Sequence, residues 1–333
     1  MGIDNYPHNK NIKMRFLEPK FEIIKQSPGI DGAYEIATKC GFICYKTNKE
    51  ITPEFARTFI DRLNKSGHRS VLEHGTVYLK CTWSTKNFAE KVVPIKYQRN
   101  HFSKVNFVCG EDNTLTGYVT TNLRVLVENG WLDDLQYSCE PTPYHEKRVC
   151  VKFWMDRVGS QSTMRHRGEN GISFSQESTR FCNYSNEKKF GEGGIKFNVP
   201  HWTNQDEINE KLNDEDEWLG TLGLVHKEYL KSIIEEKEQK PLFSKLTYWL
   251  AACDFAEFCY FKLLDCGLNP EDARYVLPLG INTEFVMTAF VSDWKHFFDL
   301  RADGTTGKPH PDIQRIAIPL KEEFIKNGFL EEK

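Results

Sequence analysis

Across residues 149–156, Val149, Val151, Phe153 and Met155 fall on one side, and that period of two points to a strand. Asp156 and Arg157 close the strand, and the chain runs directly into residues 165–186, RHRGENGISFSQESTRFCNYSN. This stretch organises the rest of the molecule. It sets Arg165, His166, Arg167 and Arg180 among Ser173, Ser175, Gln176, Ser178, Thr179, Asn183 and Tyr184. Guanidinium groups offer a planar fork of donors that fits phosphate or carboxylate, and they stay charged when buried. Hydroxyls add short donors without charge. The mixture suits a polyanion held in a defined pose, such as a nucleotide phosphate; the plain alternative is a solvated basic loop.

Upstream, a strand is expected around residues 21–24, and residues 34–44 fit either a helix or a buried strand. Thr52 as N-cap, Pro53 at the first helical position and Phe55, Phe59, Ile60 and Leu63 on one face predict a helix that Gly67 ends. Val77, Leu79, Cys81 and Trp83 alternate as a strand. His68, Ser70, Glu73 and His74 precede it, either as caps or as ligand-binding groups. No metal is expected there, because Glu73 is the only nearby acid and no third ligand has helical spacing.

Residues 84–146 read as an elaboration within one domain spanning 1–333, with a helix over 121–129. Beyond a short strand at Ile195, Phe197 and Val199, the remainder reads as helical: 206–213, 215–238, a nearly all-round apolar and therefore buried helix at 246–264, a helix opening at Pro270 that carries Arg274, and 283–300. The fold class expected is α+β, a mixed or antiparallel sheet with packed helices and a helical C-terminal part.

Net charge is −3, which gives no general pull toward nucleic acid or anionic membrane, so any anion site must be local. The ten cysteines are dispersed without a CxxC pair. No secretory core opens the chain and no run reaches membrane-spanning length, so a reduced, cytoplasmic protein is expected. Walker, GxGxxG and GxSxG patterns are absent, and no cysteine has a context that marks a nucleophile. The chemistry left is cationic and hydrogen-bonding.

The motif RHR followed by SFSQESTRF (173–181) resembles the signature of the flavin-dependent thymidylate synthases. Residues 66–79 (SGHRSVLEHGTVYL) are similar to the family's His-rich segment, 120–131 (TTNLRVLVENGW) to a segment of its longer bacterial members, and 271–288 and 294–301 to its two C-terminal motifs. These cover most of residues 50–315 in the family's order. The resemblance implies methylation of dUMP to dTMP, with methylenetetrahydrofolate as carbon donor, FAD as hydride carrier and NADPH as reductant, in a homotetramer that shares active sites between subunits. By motif, His68, Ser70, Arg165, His166, Arg167 and His296 would contact FAD. Arg165, Gln176, Glu177, Ser178, Thr179, Arg180 and Arg274 would hold dUMP, and Arg301 would activate its base.

Three positions depart from the family: Ser162 stands where many members have Gln or Glu, Phe181 for Tyr, and Phe290 where Asn often meets flavin. Three extra residues within 168–172 leave Ser175 and Ser178 competing for the family serine, and Ser178 is favoured because Ser178-x-Arg180-Phe181 keeps the downstream spacing. From another class, a non-catalytic nucleotide- or RNA-binding protein would use the same arginine-rich turn, although the net charge argues against extended nucleic-acid contact.

Overall fold

The computed structural model describes residues 15–84, 93–110, 113–165, 171–190, 194–235 and 240–331. The chain divides into two compact units, each assembled from separate segments. One comprises residues up to 19, 155–158 and 178–282; the other comprises 20–154, 159–177 and 283–333.

The larger unit holds two sheets. In one, Lys20–Ile24 pairs antiparallel with Arg148–Asp156, and Asn282–Phe290 lies between that strand and Ser173–Gln176. In the other, Thr114–Asn122 is flanked by Thr76–Ser84 and Lys104–Cys109, all antiparallel. The elaboration therefore supplies two strands to the sheet that Thr76–Ser84 begins. Residues 34–44 belong to the helix Gly29–Tyr45, while Thr52 caps Pro53–Lys65 by accepting from the Phe55 amide (3.2 Å). The expected helix at 121–129 starts later, at Leu123, because Asn122 ends a strand and its side chain accepts from the Val125 amide.

Two further expectations change. Residues 283–290 form a strand, not a helix; the run is largely buried on both faces, and such a run has no period to distinguish it. Helix begins only at Val291–Arg301. Arg157, read as closing a strand, instead opens the helix Arg157–Met164.

In the smaller unit a two-stranded parallel pair, Arg15–Leu17 with Lys196–Asn198, packs among the helices Gln205–Leu212, Glu215–Glu235 and Lys245–Asp265. The last of these was expected to be buried all round. It buries one face, through Leu250, Cys253 and Tyr260 among others, and leaves Phe255 66% exposed.

Glu257 on that helix is buried and accepts from the Ile195 amide (2.7 Å). Burial pushes its carboxyl up from an ordinary 4.5 to about 7; the Ile195 hydrogen bond opposes this and Asp254 adds to it. A raised folded-state value means the group's contribution is fully present below about pH 4.5 and is lost as pH rises through about 7. Ionisation at pH 8 then costs about 3 kcal/mol, at ~1.4 kcal/mol for each pH unit. Glu257→Gln, which keeps the acceptor, is expected to be more stable than the parent at pH 8 and to flatten the decline between pH 5 and 7. Parallel stability curves in denaturant titrations of the two proteins would contradict this.

Candidate active site

In the larger unit, Arg301 occupies the last turn of Val291–Arg301, a helix clamped by its aromatic face. Trp294 lies 5.1 Å from Phe324 and 5.9 Å from Phe298 between ring centroids, and its Nε1 donates to the Val149 carbonyl (3.0 Å). Nη2 of Arg301 donates to the Ser162 carbonyl (3.2 Å). Its Nε is buried and has no hydrogen-bond partner among the described residues. Arg165, just beyond the helix Arg157–Met164, is exposed and donates through Nη2 to Ser162 Oγ (3.3 Å). Ser162 thus gathers two guanidinium groups far apart in sequence. The sequence signal for it was its departure from the family pattern.

His166, Arg167 and 168–170 lie outside the described residues. Gly171 has φ +69°, and a Cβ there would sit 2.5 Å from the Phe102 ring, so this position requires glycine. His68 and Ser70 are exposed at the start of the short helix Arg69–His74, and His68 makes no side-chain cap hydrogen bond. His296 is exposed on the Val291–Arg301 helix. Phe290 is fully buried, with the Arg148 guanidinium 5.5 Å from its ring.

Gln176 is half-buried, and its Nε2 donates to Ser160 Oγ (2.8 Å) and Thr283 Oγ1 (3.2 Å). Glu177 has its carboxylate paired with Lys46 Nζ (3.3 Å), so the side chain anchors the strand end instead of facing solvent. Sequence reasoning missed Lys46; no motif marks a lysine that caps a helix in the left-handed region (φ 48°). Ser175 is buried against His74 Nε2 (3.0 Å), while Ser178 is only half-buried.

In the smaller unit, Ser178 opens a turn in which its Oγ accepts from the Arg180 amide (3.2 Å) and its carbonyl accepts from the Cys182 amide (2.9 Å). Arg274 Nη1 donates to Thr179 Oγ1 (3.3 Å) across 95 residues of sequence. Arg180 pairs with Glu271 in the first turn of Pro270–Ala273 and stacks its guanidinium 5.4 Å from the Phe181 ring. Arg274 and the hydroxyls of Ser178 and Thr179 meet at this turn, donors of the kind that bind a phosphate, while Glu271 engages the Arg180 guanidinium.

A family model described as "Thymidylate synthase complementing protein" matches residues 141–327, more than half of the chain. The chain is 37% identical over 102 residues to the flavin-dependent thymidylate synthase of Saccharolobus solfataricus, covering 30% of this chain and 36% of that one. It is 43% identical over 67 residues to that of Sulfurisphaera tokodaii (20% and 25%), and 26% identical over 134 residues to that of Pyrococcus horikoshii (40% and 48%). The matched stretches thus span between a quarter and a half of these relatives. Among solved structures, the UMP/dUMP methylase PolB from Streptomyces cacaoi aligns over 95% of this chain and 93% of its own at 17% identity, with a TM-score of 0.39, too low to support an argument. On the family match, the chain belongs to the thymidylate synthase complementing protein family.

Proposed function

We propose that this chain is a flavin-dependent thymidylate synthase that methylates dUMP to dTMP, with methylenetetrahydrofolate as carbon donor, FAD as cofactor and NADPH as reductant, in a homotetramer with shared active sites. The observation that carries the reading is the reach of Arg274 onto Thr179 in the turn that Ser178 opens, in a chain whose family match includes all three residues.

The exposed Arg165 guanidinium and the polar groups of His68 and Ser70 suit the phosphates and polar ring edges of a flavin dinucleotide, with His166, Arg167 and His296 assigned to the same group. When bound, FAD supplies hydride chemistry that these side chains lack. Ser178, Thr179, Arg180 and Arg274 hold the nucleotide phosphate, and each charged hydrogen bond contributes about 1.5–3 kcal/mol. Gln176 and Glu177 fix the strand end that leads into the turn. Arg301 is assigned to the uracil ring; a cation there favours the ring-nitrogen anion and raises electron density at the carbon to be methylated.

Purified protein is expected to be yellow, to bleach with NADPH, and to form dTMP from dUMP and methylenetetrahydrofolate. Colourless protein that takes up no added FAD would overturn the reading. Ser178→Ala is expected to raise KM for dUMP about tenfold with kcat largely retained, the loss of one hydrogen bond to a charged group. Ser175→Ala, which removes a hydroxyl committed to His74, is expected to leave KM for dUMP unchanged. The reverse pattern in steady-state kinetics would shift the phosphate turn to Ser175.

A further inference from the structure

Cys40, His74 and Cys150 come from three separate elements of the larger unit: the helix Gly29–Tyr45, the end of Arg69–His74 and the strand Arg148–Asp156. One ligand atom from each lies within 4.8 Å of the others, and all three residues are buried, at 0%, 0% and 3% exposure respectively. The two sulfurs are 3.9 Å apart. Two thiolates on one tetrahedral ion, each bonded at ~2.3 Å, stand about 3.8 Å apart, so the spacing is that of a shared metal. A disulfide would need about 2.05 Å.

The surroundings of His74 fit the same role. Nε2 lies 3.0 Å from Ser175 Oγ, the kind of outer hydrogen bond that fixes the tautomer and orientation of a metal-bound imidazole. Nδ1 lies 2.8 Å from Thr288 Oγ1, a hydroxyl that an ion bound at this nitrogen would displace, and Cys150 is hydrogen-bonded to both His74 and Thr288. A cavity of about 490 Å³ is lined in part by Cys150, Thr288, Tyr78 and Arg148, which gives an entry path and room for a water as fourth ligand. None of these groups is among those assigned above to flavin or nucleotide.

We propose that Cys40, His74 and Cys150 form a binding site for a soft d10 cation, zinc in the first instance, with the fourth position open to the cavity. Two thiolates and a dication sum to zero charge, which removes the cost of burying thiolates alone. Sequence spacing gave no hint of this, because the ligands lie in three distant segments that only the tertiary fold assembles.

The test uses the full chain. After desalting, elemental analysis is expected to find about one zinc per chain, and the Cys150→Ser variant is expected to lose it while Cys109→Ser, at an exposed thiol, keeps it. Zinc-depleted wild type given Co2+ is expected to show intense tetrahedral ligand-field bands to the red of any flavin absorption, a readout independent of variant folding. Ser175→Ala is expected to lower Co2+ affinity about tenfold. Zinc far below stoichiometry with an octahedral or absent Co2+ spectrum would overturn the proposal, as would mass-spectrometric detection of a Cys40–Cys150 disulfide in freshly purified protein. Stoichiometric Cu+ in place of zinc would keep the site and reassign its ion.

Discussion

Arg301→Ala is expected to lower kcat by about a hundredfold to a thousandfold, the usual cost of removing one preorganised donor from a developing anion. Flavin binding is expected to persist, because the residues assigned to flavin do not include Arg301. The helix that carries Arg301 is held by Trp294, Phe297, Phe298 and Phe324, none of which the substitution touches, so the fold should tolerate the change. The hydrogen bond lost with it is the one to the Ser162 carbonyl. Arg301→Lys keeps a charge but loses the planar fork, and is expected to fall between the two. Flavin absorbance and single-turnover dTMP formation, measured on the same samples, separate the outcomes. Parallel loss of flavin and turnover would mean that Arg301 builds the site instead of activating the base.

How much of this was legible in the sequence depended on whether a side chain's role is local. Thr52 acts on an amide three residues away, and the alternation at 149–155 is a property of one strand, so both could be read directly. Residues 282–290 carry no such period, since both faces are buried and their partner strands come from 148–156 and 173–176. The helix Arg157–Met164 is short and polar, and it hid between a clear strand and a conspicuous motif. The site divides in the same way. Ser178, Thr179, Arg180, Arg274 and Arg301 were named from motifs, and the turn around Ser178 joins the first four. Lys46 and the thiol–imidazole cluster have no local signature. Their roles arise from elements that meet across more than a hundred residues.

Lys46→Met is expected to destabilise the larger unit by about 3–5 kcal/mol at pH 7, the cost of breaking a buried ion pair and leaving its partner charged. Lys46 Nζ serves two carboxylates, Glu177 and Glu284, and Lys152 Nζ reaches the second of them (2.8 Å). The Glu177 side chain is only 2% exposed. Burial alone pulls the Lys46 ammonium down from its ordinary 10.5, but the two carboxylates outweigh burial and hold it above that value. For Glu284, burial raises the carboxyl, and Lys46 and Lys152 outweigh it to leave the group below its ordinary 4.5. A raised lysine contributes stability below 10.5 that is lost as pH climbs past it, and a depressed carboxyl contributes above 4.5 that is lost as pH falls below it. The cluster therefore supports the fold between roughly those limits. Without Lys46 the Glu284 carboxyl loses one of the two cations that hold it down, so the deficit of the variant is expected to shrink from pH 7 to pH 5, and Lys46→Met with Glu177→Gln is expected to recover much of it. Methionine inherits the same left-handed backbone position, which keeps the comparison electrostatic. Denaturant titrations at the two pH values decide the matter: a loss under 1 kcal/mol, equal at both, would mean that solvent and not Lys46 balances these carboxylates.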